Sequence, residues 1–409
     1  MGLPSILATG PSITSQDKGS SSGYNSLMAL PPPAAPVWID APEPLADWVA
    51  AQCHTPRLAI DTESNSLHAY QEHVCLIQAS TPEGDALIDP LGSADMAALA
   101  PLFASPSIEK VFHGAEYDLA CLKRDFGFEI VNLFDTRLAL RTLGMQPSGL
   151  ADVLAQEFGI TLDKRFQRAD WGKRPLTSAQ IEYARFDTHY LLPLRDRLAD
   201  ALQLAGRWEE AVEACAHLAC TVHPGTNGDP NGFWGMANAR KLEPRQAAAL
   251  RELYAWRDET ARQLDRPPFK VIGDEALLSL AHTLPQDPDD LRGVPDLPPR
   301  LAERHADAIL AALERSRSAA APRPPSSEPT DPAVLARYDK LRQWRKAVAA
   351  ERGVESDIIL PREIMWEVAC RAPRSLQALE PLMPCLPWRF RAYGQAMLAC
   401  LWGTDLATT

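Results

Sequence analysis

Two carboxylates one residue apart, Asp61 and Glu63, end the apolar run Leu58-Ala59-Ile60. If that run is a strand, side chains two apart point to the same face, so the two acids stand side by side. Adjacent carboxylates repel, and a divalent cation relieves the repulsion. Two more acids have a patterned context. In Val111-Phe112-His113-Gly114-Ala115-Glu116-Tyr117-Asp118 a strand runs into a glycine turn and a helix begins, which puts Asp118 in the first turns of that helix. Tyr183 and Asp187 are four apart and share one face of a helix. Taken singly, each acid reads as a solvated or capping residue. Taken together, Asp61, Glu63, Asp118 and Asp187 are candidates to converge from one strand and two helices. Phosphodiester hydrolysis asks for that arrangement, because a water must be activated and the departing oxygen stabilised. Two divalent ions about 3.5–4 Å apart do both, and hard cations of the magnesium type take carboxylate oxygens. Tyr183, beside Asp187, is placed to orient the attacking water without ionising.

The elements that must position these residues follow from the alternation of short apolar runs with amphipathic segments between Trp38 and about Val222. That alternation predicts an α/β layer on one mixed sheet. Strands are expected at Leu58–Asp61, Val74–Ala79, Ala86–Asp89, Lys110–Phe112 and Ile130–Phe134. The first three have short connections and should form an antiparallel meander, and the later ones, reached through helices, should pair in parallel. Helices are expected around Ala94–Phe103, Glu116–Phe126, Thr136–Leu143, Leu150–Phe158 and Ser178–Leu204. The last opens with the capping signature Thr177-Ser178-Ala179-Gln180.

Beyond a Gly/Asn/Asp/Pro-rich linker (223–242) lies an internal repeat. Tyr254-Ala255-Trp256-Arg257 and Arg342-Gln343-Trp344-Arg345 are 88 residues apart, and the same offset aligns Val271-Ile272 with Ile359-Leu360. Two helical units follow, at 243–318 and 333–402, joined by a Pro/Ser linker over 319–332. Their tryptophans are expected to be core anchors. Residues 243–316 carry 10 basic and 14 acidic side chains, and residues 331–402 carry 11 and 8. In the second unit Arg337, Lys340, Arg342, Arg345 and Lys346 fall at roughly helical spacing, as a solvated face or a phosphate-tracking patch. Its Pro361, Pro373, Pro381, Pro384 and Pro387 are expected to break its helices.

A net charge of −12 over 409 residues argues against nucleic-acid binding by overall charge, leaving local patches or bound metal to attract a polyanion. The eight cysteines include no C-x-x-C pair and read as reduced core residues of a cytosolic protein, with a zinc site at Cys215, His217, Cys220 and His223 as a weaker reading. No stretch has the ~20 apolar residues needed to cross a bilayer. The Ser/Gly/Pro-rich residues 1–37 read as a disordered leader.

Asp61-Thr62-Glu63, then Phe112–Asp118, then Tyr183-Ala184-Arg185-Phe186-Asp187 resemble the three motifs of the DEDD exonucleases, with the tyrosine that marks the DEDDy branch. Leu133-Phe134-Asp135-Thr136 and Asp170-Trp171-Gly172-Lys173-Arg174-Pro175-Leu176 are similar to segments of ribonuclease D proteins, and the duplicated helical unit resembles tandem HRDC domains. The resemblance covers about residues 38–402. It implies a ribonuclease-H-like (DnaQ-like) exonuclease domain at 38–222 followed by two small all-α HRDC domains. It further implies that Asp61, Glu63, Asp118 and Asp187 ligate two magnesium or manganese ions and that Tyr183 positions the water. The implied reaction is hydrolysis from an RNA 3′ end, releasing nucleoside 5′-monophosphates, on tRNA precursors and other structured RNAs with 3′ tails. Thr62, His113 and Gln78 are expected near the terminal nucleotide, and Asp135 to be structural or substrate-side. A cytoplasmic monomer is the expectation. A DNA 3′-5′ exonuclease and a catalytically silent RNA-binding scaffold are the alternatives.

Overall fold

The computed structural model describes residues 34–146, 149–224, 229–324 and 331–403. Most of the expected leader, and residues 325–330 of the expected linker, lie outside the described residues. Six strands form one mixed sheet in the order β1-β4-β3-β2-β5-β6: β1 Val37–Ile39, β2 Arg57–Ser64, β3 Val74–Thr81, β4 Gly84–Ile88, β5 Glu109–Phe112 and β6 Leu133–Asp135. β2, β3 and β4 are the antiparallel meander, while β5 and β6 extend the sheet in parallel beyond β2. β1 had no strong alternation to announce it. It adds in parallel to the outer edge of β4 and begins at Val37, inside the stretch read as leader.

Helices cover both faces: α1 Pro42–Gln52, α2 Ala100–Ala104, α3 Glu116–Phe126, α4 Thr136–Thr142, α5 Leu150–Phe158, α6 Ser178–His189, α7 Leu191–Leu204 and α8 Trp208–Thr221. The expected single helix over Ser178–Leu204 is two. Pro193 cannot donate to residue 189 and its ring crowds that carbonyl, so the chain breaks at Tyr190 and Pro193 falls in the first turn of α7. On one face Leu58, Ile60, Ile77 and Phe112 pack with Leu45, Phe103 and Leu119. On the other, Ala59, Val111 and Phe134 pack with Leu140, Leu154 and Leu194. Consecutive β2 residues therefore serve two different cores.

The repeat is structural as well as sequential. The first unit comprises α9 Pro244–Gln263, α10 Pro268–Val271, α11 Asp274–Thr283, α12 Pro288–Arg292 and α13 Pro299–Ser318. The second comprises α14 Pro332–Arg352, α15 Ser356–Ile359, α16 Arg362–Arg371, α17 Leu376–Leu379 and α18 Pro387–Trp402. Every helix start in the first unit recurs 88 residues later. Both units end their third helix in a left-handed residue, Leu284 and Ala372. Arg257 donates to the Ile272 carbonyl at 3.3 Å and Arg345 to the Leu360 carbonyl at 2.8 Å, the same bond in each copy. Trp256 and Trp344 are half-buried against their units' cores. The prolines of the second unit do not break its helices. Pro361 is the N-cap of α16 and Pro387 opens α18, where a missing N–H costs nothing.

Buried ion pairs fasten the second unit to α8. Glu210 accepts from Arg352 at 2.5 and 2.8 Å, and Glu213 accepts from Arg389 at 2.7 Å and from the backbone of Trp388. Removing one partner of such a pair strands the other's charge. Glu213→Ala is expected to destabilise the protein by about 3–5 kcal/mol, read from chemical denaturation. A loss below about 1 kcal/mol would show that this pair does not hold the unit in place.

Candidate active site

The site forms where the sheet opens. The β2–β5 ladder ends at Ala59 and Val111, whereas β2–β3 pairing continues to Ser64 and Val74. Asp61, Thr62 and Glu63 thus run on past β5, and a bulge between Glu63 and Ser64 ends their regular pairing. β5 itself leads into Gly114 at φ +79°, a left-handed turn that a Cβ would strain. The Asp135 carboxylate holds this turn by accepting from the N–H groups of Gly114 at 3.0 Å and Ala115 at 2.7 Å. It also caps α4 through Arg137 and Leu138. Asp135 is therefore structural: it sets where α3 begins, and with it Asp118. Thr62, expected near a substrate, donates its hydroxyl to Asp118 Oδ1 at 2.5 Å. His113 Nδ1 lies 2.9 Å from the Thr136 hydroxyl, which donates in turn to the Phe112 carbonyl.

α6 packs across β2, β3 and β4 and brings Tyr183 and Asp187. Its start is fixed by a capping box between Thr177 and Gln180. Its far end is pinned by the buried Asp85, which takes hydrogen bonds from Ser80 at 2.7 Å and His189 at 2.9 Å and pairs with Arg185 at 3.3 Å. Tyr183 lies against the rings of Trp171 and Phe166, with centroids 5.9 and 5.8 Å away. Trp171 is almost fully buried, and Arg174 anchors its segment by bonding Asp89 twice at 2.6 Å and the carbonyls of Cys75 and Trp171. Trp171, Arg174, Asp89 and Asp85 escaped the reading of chemistry from spacing, because each acts on a partner distant in sequence.

The four carboxylates share one electrostatic environment. Burial, then the charges of Asp118, Asp187 and Glu63, holds Asp61 well above the usual carboxylate range. Glu63 is raised in the same way by burial, Asp187 and Asp118. Asp118 is pushed up to about 6 by burial, against the opposing hydrogen bond from Thr62. Asp187 is pushed up to about 7 by burial and by Asp118. Burial, followed by the charges of Asp187, Glu63 and Asp61, raises Tyr183, so its phenol keeps its proton at neutral pH.

Gln78 stands directly opposite Asp61 on β3, fully buried, with neither amide atom paired. An orphaned amide of this kind is costly unless a polar group meets it, which fits a hydrated ion or substrate oxygen held by the acids. Among the described residues no group of three or more His, Cys, Asp or Glu side chains is arranged to hold a metal ion as it stands. The same holds for the cysteine and histidine cluster on α8. Only Cys75, Cys121 and Cys215 are buried, and the expectation of mostly buried cysteines is corrected, since Cys53, Cys220, Cys370 and Cys385 are exposed. A cavity of about 320 Å³ opens beside Tyr183 and Asp187, walled by Ile160, Leu162, Phe186 and Tyr190.

Comparison with known proteins identifies the two kinds of domain. The 3′-5′ exonuclease family matches residues 36–203, and the HRDC domain matches twice, at 246–313 and 334–401. Ribonuclease D of Pseudomonas paraeruginosa is 31% identical over 388 residues, covering 89% of this chain and 99% of that protein. The chain belongs to the ribonuclease D family. The crystal structure of Escherichia coli RNase D, described as an exoribonuclease involved in structured RNA processing, superposes with a TM-score of 0.67 at 26% identity, covering 90% of this chain and 99% of that one. The catalytic core of RRP6 from Trypanosoma brucei superposes with a TM-score of 0.60 at 32% identity over 69% of this chain and 79% of that one. The exosome complex component 10 homolog of Caenorhabditis elegans is 38% identical, but the chain spans only 29% of its length. No helix among the described residues is long and apolar enough to cross a membrane.

Crowded carboxylates make a pH signature. Their folded pKa values lie above those of the unfolded chain, so their contribution to stability is full below about pH 4 and is lost as pH rises through about 6 to 7. In chelated buffer Asp187→Asn is therefore expected to melt higher than the parent at pH 8, with the gap closing towards pH 5. A gap that does not depend on pH would contradict the crowding.

Proposed function

We propose that this chain is a metal-dependent 3′→5′ exoribonuclease that releases nucleoside 5′-monophosphates one at a time. The observation that carries the reading is the gathering of Asp61, Glu63, Asp118 and Asp187 at the opening of the sheet, where Asp61 feels the charges of the other three, Thr62 of β2 reaches Asp118, and Tyr183 stands beside them. Those four carboxylates would hold two magnesium or manganese ions, which when bound supply a hydroxide-like nucleophile and neutralise the phosphate. Thr62 fixes the rotamer of Asp118 through its hydroxyl. Tyr183, kept protonated, donates to the attacking water or to the phosphate. Trp171 and Phe166 keep its ring from swinging away. The cavity beside Tyr183 and Asp187 takes the terminal nucleoside, with Gln78 and His113 on the substrate side of the site. The substrates we infer are tRNA precursors and other structured RNAs with short 3′ tails, acted on by a monomer in the cytoplasm.

Asp118→Asn is expected to lower cleavage of a 3′-tailed RNA by at least roughly 10³-fold while RNA binding survives. Tyr183→Phe should slow hydrolysis by roughly 10²-fold with metal affinity nearly intact. Chelation should abolish activity, and magnesium or manganese, but not calcium, should restore it. Matched RNA and DNA oligonucleotides decide the substrate class: equal or faster DNA cleavage defeats the RNA reading. An unchanged rate for Asp118→Asn defeats the site.

A further inference from the structure

A cleft of about 1200 Å³, roughly four times the 320 Å³ cavity beside Tyr183, lies between the exonuclease domain and the second HRDC unit. One end is formed by Gly114, Glu116 and Tyr117, so it begins one residue from Asp118. Tyr117 is 48% exposed there, and its hydroxyl lies 2.8 Å from Ser64 Oγ at the end of β2. From that mouth the cleft runs between α4 and α8 on one side and α15, α16 and the start of α18 on the other.

Most of the charges lining it already have partners. Arg141 bridges Glu355 at 2.7 Å and Asp357 at 2.5 Å, and Arg389 is buried on Glu213. His217 Nε2 lies 3.5 Å from Glu363, while its buried Nδ1 has no hydrogen-bond partner among the described residues. Two guanidinium groups differ. Arg137, on the first turn of α4, and Arg362, on the first turn of α16, line opposite walls, are exposed, and make no side-chain hydrogen bond or ion pair among the described residues. Among the described residues lining the cleft, Glu116 is the one acid without a cationic partner, so the two arginines outnumber it.

We propose that this cleft carries the single-stranded RNA leading away from the cleaved end, with Arg137 and Arg362 each taking a backbone phosphate. The inference rests on the exoribonuclease reading. A guanidinium fork matches phosphate geometry, and a pair left unmatched in an otherwise ion-paired wall is poised for a polyanion. The arrangement assigns RNA contact to the second HRDC unit. The first unit, with its acidic excess, lines none of the cleft. It also replaces the basic stripe on α14 as the phosphate-tracking surface. Arg337, Lys340 and Arg345 donate to the carbonyls of Ala369, Leu401 and Leu360 within their own unit, and Arg342 pairs with Asp339.

The test uses the full chain with Asp118→Asn as the binding background and RNA strands of two and ten nucleotides. The double variant Arg137→Gln/Arg362→Gln is expected to weaken ten-nucleotide binding about tenfold. The slope of log affinity against log salt should fall by about 1.4, or about 0.7 per phosphate contact. In the active chain the penalty on kcat/KM should grow with strand length. Arg300→Gln on α13 is the control and should move neither quantity. Unchanged affinity and salt slope in the double variant overturn the proposal, as does a penalty equal at both lengths, which would place the arginines at the cleaved nucleotide. Competition by polyglutamate as strong as by RNA would assign the cleft to an acidic peptide and overturn it too. If the parent cleaves no RNA of any length, it is the exoribonuclease reading that fails.

Discussion

Repulsion among four carboxylates is the constraint around which the exonuclease domain is built. Burial and the charges of neighbouring acids raise Asp61, Glu63 and Asp187, and a chain free to relax would turn them outward to water. What holds them is a set of hydrogen bonds made by groups on neighbouring elements. Thr62 ties Asp118 to β2, Asp135 fixes the turn from which α3 starts, and Asp85 pins the end of α6 beyond Asp187. These supports sit on three separate strands, β2, β6 and β4. Such strain at a binding site is useful: the free energy held in the repulsion is released when positive charge enters, which favours occupancy of the site.

The sheet's topology supplies the opening that this arrangement needs. β2 is flanked by an antiparallel neighbour that follows it to Ser64 and a parallel neighbour that leaves it at Ala59. The difference creates a notch at the end of a central strand, where binding crevices form in sheets of parallel character. Without the early exit of β5, Asp61 and Glu63 would sit in a fully paired strand with no room for a phosphate. α3 and the turn before it line this notch, and that places the cleft bearing Arg137 and Arg362 at its edge.

The sequence was most legible where chemistry and periodicity coincided. Asp-x-Glu after an apolar run, Asp118 behind a glycine turn and Tyr183 four before Asp187 are local patterns, and the structure places all three around one notch. The meander β2-β3-β4 and the 88-residue repeat were legible for the same reason, since each is written in consecutive or regularly offset residues. What escaped is non-local. β1 has three residues and owes its place to pairing with β4. The break at Tyr190 depended on weighing Pro193 against an otherwise continuous helical pattern. The prolines of the second HRDC unit read as breakers because composition alone does not say whether a proline starts a helix or interrupts one. On α14, whose basic residues read as a solvated face or a phosphate-tracking patch, Arg337, Lys340 and Arg345 bond carbonyls of their own unit, because spacing shows which side a residue occupies and not which carbonyl it meets.

The two HRDC copies keep one framework and differ in what they present. Arg257 and Arg345 make the same internal bond, and the helices begin at the same offsets, so the hydrogen-bonded scaffold of the unit is common to both. Two acids of the first copy meet the exonuclease domain. Asp258 accepts from the Tyr70 hydroxyl at 2.9 Å and Asp265 from the Tyr70 backbone at 3.1 Å. Tyr70 lies in the connection between β2 and β3, seven residues after Glu63, and packs against the first unit's core. An acidic copy that clasps this connection has no need to touch RNA, and its charge would oppose such contact. The second copy, docked through Glu210 and Glu213 of α8, turns Arg362 toward the notch instead. An overall charge of −12 is thus compatible with a polyanionic substrate, because the acids that hold the first unit in place lie apart from the wall where cations are left unmatched.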